Sequence, residues 1–453
     1  MSAVDQAPSR LDPRLWASSV HRGDDGALRV AGADVRDLAA RWGTPAYLLD
    51  EEDFRQRARA FRDAFAAAFA DSGADVFYAG KAFLCTAVAR WVHEEGLCLD
   101  VCTGGELAVA VRAGVPGERI GLHGNNKSVE EIEAALRHGV GRIVLDSFDE
   151  IERVTEVAGR LGVVAPVMIR VTTGVAAHTH EFVATAHEDQ KFGFSLSGGR
   201  AVEAADRVLA RPDRLLLLGL HSHIGSQIFD VDGFEVSTTR LVRLHTDIAR
   251  RHGTELAELD LGGGFGIAYT SEEDPLPPEQ LAQGLADVVR RECAANSVAV
   301  PHISIEPGRS VAGPSTFTLY RVGTVKQVDL GQDGRRTYVS VDGGMSDNIR
   351  PALYGAQYSC VLADRVGSDE TVRARVVGKH CESGDIVVRD TRLPADVAPG
   401  DLLAVPGTGA YCYSLANQYN HVARPPVVAV RDGQSRPIVR RETIDDLLAL
   451  DVE

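Results

Sequence analysis

Asp75-Val76-Phe77-Tyr78-Ala79-Gly80-Lys81 is a short strand-forming run that ends in a glycine and a lysine. The same texture recurs at 97–101, 119–123, 142–145, 166–171, 215–221, 255–261 and 301–305, which makes eight such runs. Amphipathic segments lie between them at 105–113, 129–138, 149–161, 199–210, 234–252 and 278–296, commonly with Gly or Pro at the seams. Strands alternating with helices predict a parallel sheet of βα units. With eight strands, closure into a (β/α)8 barrel is the natural form.

Beyond Gly313 the pattern changes to Thr-, Val- and Tyr-rich runs at 317–328, 336–341, 371–378, 402–405 and 427–431, separated by Gly and Asp. These predict a β-domain of sandwich or barrel type. The tail, 442–453, has a short helical pattern. The expected division is an N-terminal segment, 1–46, contributing to the β-domain, a barrel over 47–309, and a C-terminal β-domain over 310–453. A chain of 453 residues accommodates a barrel of about 250 residues and a second domain.

The 48 basic and 64 acidic residues give a formal charge of −16, which disfavours a nucleic-acid partner. Asp5, Arg10, Asp12 and Arg14 interrupt the first twenty residues, so no secretory apolar core is expected there. The longest apolar stretch, 215–220, is far short of the ~20 residues of a membrane span. No membrane association and a cytoplasmic location are expected. Seven cysteines, at 85, 98, 102, 293, 360, 381 and 412, suit reduced thiols better than a disulfide framework. Cys98 and Cys102 form the one close pair, without a second pair to complete a zinc set.

Barrels carry their chemistry just after the strands. That filter selects Lys81, Asp100 with Cys102, Gly124-Asn125-Asn126, Asp146, Arg170, His221 with His223, Gly262-Gly263-Gly264 and Glu306. Lys81 follows an apolar strand, where desolvation would favour Schiff-base chemistry; the ordinary alternative is a lysine snorkelling at a strand end. The backbone of the run Gly262 to Gly266 could cradle a phosphate, or could simply be a tight turn. Glu306-Pro307-Gly308-Arg309 sets a carboxylate three residues from a guanidinium, suited to opposite ends of one ligand. His221 and His223 share a strand face, but no acidic or cysteine partner stands at a metal-binding spacing. A ring stacked on a flat cofactor is the better use, and no metal is expected. The polar segment 172–191, with His178, His180 and His187, reads as a mobile active-site loop.

Five motifs occur in order: Tyr78-Ala79-Gly80-Lys81-Ala82, His223-Ile224-Gly225-Ser226, Gly262-Gly263-Gly264-Phe265-Gly266, Glu306-Pro307-Gly308-Arg309 and Cys381-Glu382-Ser383-Gly384-Asp385. With them the chain resembles the fold-type III pyridoxal-phosphate-dependent decarboxylases over 43–426, and within that family the branch acting on diaminopimelate. Lys191-Phe192-Gly193 and the run from Gly343 to Pro351 also look like that branch.

The resemblance implies an alanine-racemase-like fold and decarboxylation of meso-2,6-diaminopimelate to L-lysine and carbon dioxide, the last step of lysine biosynthesis. It implies pyridoxal 5'-phosphate tethered to Lys81 and stacked under His223. Ser226, Gly263, Gly264, Gly308, Arg309 and Tyr411 would contact the cofactor, and Glu306 would face its ring nitrogen. Arg309, Arg350, Tyr354, Glu382 and Tyr411 would bind the substrate, two arginines and an acid suiting a zwitterionic side chain. Cys381 would be the proton donor, and Cys381 and Glu382 would come from the neighbouring subunit of a homodimer. Rival readings are decarboxylases of arginine, ornithine or carboxynorspermidine, an alanine-racemase-like enzyme, which Glu306 argues against, and a catalytically silent relative, which Lys81 and Cys381 argue against.

Overall fold

The structure, a computed structural model, describes residues 11–175 and 191–452. Of the segment 172–191, only Thr172 to Val175 and Lys191 fall within the described residues; His178, His180 and His187 lie outside them. The chain divides into two compact units, one of residues 57–266 and 275–308, the other of residues 1–56, 267–274 and 309–453.

The first unit is a closed parallel barrel. Its strands follow in chain order: Ala74–Ala79, Cys98–Val101, Ile120–Leu122, Arg142–Leu145, Ala165–Thr172, Leu215–His221, Glu258–Asp260 and His302–Ile305. Closure comes from the last strand pairing with the first, Ile303 opposite Ala74 and Ile305 opposite Val76. Each of the eight runs read from the sequence forms a strand, the third and the seventh shortened to three residues.

The helices between strands start and stop on local chemistry. Val129–His138 begins at a capping box, Ser128 accepting from the Glu131 amide while Glu131 accepts from the Ser128 amide, and ends at Gly139 in the left-handed region. Ser147 caps Phe148–Leu161, its side chain accepting from the Glu150 amide, and Thr103 caps Gly104–Ala113 by accepting from the Glu106 amide. These caps fix where each helix leaves the barrel mouth, and so where each strand-to-helix loop runs. Inside the barrel, Arg142 is buried between Glu258 at 2.9 Å and Asp260 at 3.4 Å, with its guanidinium 4.0 Å over the Phe77 ring. That is a paired interior charge, which a closed core requires.

The second unit is rich in sheet. Strands run in the order Ile386–Pro394, Thr371–Val377, Arg335–Val341, Thr316–Asp329, Ala46–Asp50, Val427–Arg431 and Gln434–Val439, and Leu402–Pro406 pairs both Thr316–Asp329 and Val361–Leu362. The boundary set at 46 from the sequence falls on the first residue of Ala46–Asp50, which pairs with Thr316–Asp329 on one side and Val427–Arg431 on the other. Residues before Gly43 form a separate three-stranded sheet, His21–Arg22, Leu28–Val30 and Ala33–Asp34. Leu28, Val30 and Trp16 join Phe317, Leu319 and Leu402 in one buried apolar cluster, so hydrophobic burial ties this segment to the unit. Ile444–Leu448 supplies the short helix expected in the tail.

Candidate active site

In the barrel unit the strand-end residues gather around one mouth. Lys81 sits in the single turn Gly80–Ala82 that follows Ala74–Ala79. Its side chain is exposed rather than desolvated as the sequence suggested, because it stands beyond the strand's end. Its charge acts on Asp100, Glu106 and His223, so these groups face it.

The glycine run after Glu258–Asp260 is a close-packed backbone cradle. A Cβ on Gly263 would lie 2.1 Å from the Glu306 carbonyl oxygen. Gly264 has φ +111°, where side chains are disfavoured, and a Cβ there would lie 2.4 Å from the Gly225 carbonyl oxygen. The Gly263 amide donates to His223 Nδ1 at 3.3 Å, which fixes that ring and leaves its proton on Nε2. Burial and the charge of Lys81 push His223 well below the ordinary imidazole range, keeping it neutral. Gly308 is buried against Ala79 and Ala82, and Ser226 is half-buried on the loop following His223.

Glu306 ends the last strand's run and is buried. Its Oε1 lies 3.1 Å from His221 Nε2 and 3.3 Å from His123 Nε2, in neither case with hydrogen-bond alignment. Burial alone would raise this carboxyl; the surrounding imidazoles outweigh it and hold the group well below its usual range. Asp100, 3.5 Å from His123 Nε2, goes the other way, raised well above its usual range by burial and by Glu306. The sequence offers the histidine pair no acidic partner at a metal-binding spacing, and the structure brings one in from a distant strand end. His221 has Glu306 beside it, a partner 85 residues away that only barrel closure brings near. His123 was missed because the filter took the residues after the third run and skipped the last residue within it.

The second unit holds the remaining candidates. Arg350 is buried, donates to the Tyr358 hydroxyl at 2.5 Å and lies 4.7 Å over the Tyr269 ring. Arg309 donates to the Tyr269 hydroxyl at 2.5 Å and lies 4.6 Å over the Tyr411 ring. Among the described residues no carboxylate stands within ion-pair distance of Arg350, a buried cation whose neighbours are aromatic rings and hydroxyls. Tyr269 and Tyr358 organise this cluster, and neither carried a signal in the sequence. Tyr354, two-thirds exposed at 65 %, lies outside it on the short helix Arg350–Tyr354.

Cys381 and Glu382 occupy the exposed turn between Thr371–Val377 and Ile386–Pro394. Asp385 pins that turn, accepting from the Met345 amide at 2.6 Å and the His380 amide at 2.8 Å, while the Cys381 amide donates to Asn420 Oδ1 at 3.2 Å. All seven cysteines are free. Burial raises the other six thiols, Cys360 to about 12 and Cys412 to about 11 among them, and Cys381 alone is exposed.

Residues 51–313 match the family model for the pyridoxal-dependent decarboxylase, pyridoxal binding domain. The chain belongs to the pyridoxal-dependent decarboxylase family. It is 57 % identical over 446 residues to the diaminopimelate decarboxylase of Mycobacterium tuberculosis, with 98 % of each chain covered, and 44 % identical to that of Bacillus subtilis, with 94 % of this chain and 95 % of that one covered. A crystal structure of diaminopimelate decarboxylase from M. jannaschii in complex with L-lysine superposes with a TM-score of 0.90 at 30 % identity, covering 97 % of this chain and 99 % of that one. Within the family the chain groups with the diaminopimelate decarboxylases.

The barrel residues fit pyridoxal phosphate. Glu306 Oε1 is buried without an aligned partner, which suits a ring N–H, and the glycine cradle leaves backbone where a phosphate can approach.

Proposed function

We propose that this chain removes carbon dioxide from meso-2,6-diaminopimelate and releases L-lysine, using pyridoxal 5'-phosphate, as a homodimer in the cytoplasm. The observation that carries the substrate assignment is Arg350, a buried guanidinium with aromatic neighbours and no carboxylate among the described residues. A distal carboxylate completes such a site through a bidentate pair, whereas arginine, ornithine and carboxynorspermidine offer no equivalent anion there. Pyridoxal phosphate, when bound, supplies the electron sink for the charge left as carbon dioxide departs.

The chain's residues do the rest. Lys81 Nζ tethers the cofactor and His223, held neutral and oriented by the Gly263 amide, offers a flat face for stacking. Glu306 would accept a hydrogen bond from the protonated ring nitrogen. Ser226, Gly308, the Arg309 guanidinium and the Gly263–Gly264 backbone, there chiefly the Gly264 amide because that of Gly263 is given to His223, would hold the phosphate, and Tyr411 would contact the cofactor. Arg309, Arg350, Tyr354, Glu382 and Tyr411 orient the substrate. Cys381, supplied with Glu382 to the neighbouring subunit's site, delivers a proton from Sγ to the carbon that lost carbon dioxide, and its exposure on a pinned turn supports that role.

Purified protein loaded with pyridoxal phosphate is expected to form L-lysine from meso-diaminopimelate, and Lys81→Ala to lose both the visible absorption of bound cofactor and turnover. Lysine formation by Lys81→Ala at the unsubstituted rate would overturn the assignment.

A further inference from the structure

A carboxylate taken out of water needs compensating charge or hydrogen bonds, and a lone one at a barrel's inner wall is costly. Glu306 is such a group, and among the described residues no lysine or arginine stands within ion-pair distance of it. Its close polar neighbours are two imidazoles, His221 Nε2 at 3.1 Å and His123 Nε2 at 3.3 Å, both beside the same oxygen, Oε1, and close enough to act on its charge without an aligned hydrogen bond. The two rings are held edge to face with centroids 5.0 Å apart, so they approach that oxygen from different directions. Neither is on the surface, at 0 % exposure for His221 and 4 % for His123.

The neighbouring groups leave the Nε2 atoms of both rings facing Glu306. His223, next along the same chain direction, is committed to the Gly263 amide and does not compete. Asp100, the other carboxyl facing His123 Nε2, stands farther off at 3.5 Å and is kept protonated by its burial and by the Glu306 charge. Asp260 accepts from the Gly262 amide and faces Arg142.

We infer that His221 and His123 are positioning residues: they orient Oε1 of Glu306, keep that carboxylate charged, and through it hold the ring nitrogen of bound pyridoxal phosphate in its protonated form. The inference rests on the proposed cofactor reading and deepens it, assigning residues that never touch substrate. It accounts for the two histidines two residues apart, one ending the strand Leu215–His221 and the other just beyond it. His223 presents a flat face at the mouth, and His221 supports Glu306 from inside the wall.

The test is the 15N resonance of cofactor labelled at its ring nitrogen, bound to the full-length protein and to His221→Leu, His221→Gln, the His221→Leu/His123→Leu pair and Glu306→Gln. The unsubstituted protein and His221→Gln, whose amide nitrogen replaces Nε2, are expected at the protonated position. His221→Leu and the pair are expected to shift towards the unprotonated position, with kcat reduced about tenfold to a hundredfold, the equivalent of one hydrogen bond to a charged group. A protonated signal retained in the pair overturns the inference while leaving the cofactor reading intact. An unchanged signal in Glu306→Gln overturns the underlying reading of Glu306 itself. Should the leucine variants fail to fold, imidazole 15N spectra of the unsubstituted holoprotein decide: a bare His221 Nε2 overturns the inference, and a protonated one upholds it.

Discussion

Replacing Arg350 with Ala removes the one buried cation that the substrate assignment depends on. In the structure this guanidinium is preorganised: one nitrogen donates to Tyr358 at 2.5 Å, and the Tyr269 ring lies 4.7 Å beneath it. Burial works against its charge, but the surrounding Tyr358, Tyr269 and Cys412 outweigh that and favour the charged form. A charge-assisted hydrogen bond contributes about 1.5–3 kcal/mol, and a fork gripping both carboxylate oxygens makes two. The loss is then ~3–6 kcal/mol, or about a hundredfold to ten-thousandfold in kcat/KM, at 1.4 kcal/mol per factor of ten. Arg350→Lys keeps a charge but loses the planar fork, and is expected to recover part of that deficit. The assay is initial-rate lysine formation across a range of meso-diaminopimelate concentrations, with Tm measured alongside. The Tm check matters because Tyr358 would lose its donor, a cost of about 1–3 kcal/mol in stability that must be separated from the kinetic loss. A kcat/KM for Arg350→Ala within about threefold of the unsubstituted value, in folded protein, would refute the reasoning.

Cys381→Ala is expected to slow turnover while leaving cofactor bound, since the exposed thiol is assigned to proton delivery and not to cofactor retention; an unchanged rate removes it as the acid. Gly264→Ala places a Cβ 2.4 Å from the Gly225 carbonyl oxygen at φ +111°, and is expected to lower both Tm and cofactor affinity, so retention of both would mean the cradle is not close-packed. Asp347 is buried, accepts from Tyr320 and from the Gly344 amide at 2.7 Å, and is pushed up from 3.8 to about 7 by burial. A carboxyl whose folded value lies above its unfolded one contributes stability that is present below about pH 4 and lost as the pH rises through about 7. Urea unfolding of the unsubstituted protein against Asp347→Asn should therefore give a stability difference that changes across that window, and a pH-independent difference would contradict it.

The barrel was legible because its signal is local. Each strand run is a short apolar stretch closed by Gly or a polar residue, and the capping box at Ser128 and Glu131 marks its helix in the sequence itself. Chain segments whose fold depends on distant partners were not legible. Ala46–Asp50 is not among the strand runs legible in the sequence, and only its pairing with Thr316–Asp329 and Val427–Arg431 makes it a sheet strand. Ile386–Pro394 is laced with Arg389, Asp390 and Arg392, which hid its period, since an end strand keeps one side in water.

The candidate site divides in the same way. Lys81, His223, the glycine run and Glu306 announce themselves at strand ends, where a barrel keeps its polar groups. His221 with Glu306, and Tyr269 with Arg309 and Arg350, are contacts between residues 85, 40 and 81 positions apart, and no spacing rule reaches that far. Tyr358 lies in a stretch without strand or helix and stands out only once its hydroxyl is seen against Arg350.

Carbon dioxide release by the cofactor-loaded protein, from meso-diaminopimelate and, in parallel, arginine, ornithine and carboxynorspermidine, tests the central claim most directly. Release from diaminopimelate alone is expected, with L-lysine in equal amount. Release from one of the other amino acids, with diaminopimelate inert, would contradict the assignment of Arg350 and leave only the barrel chemistry standing.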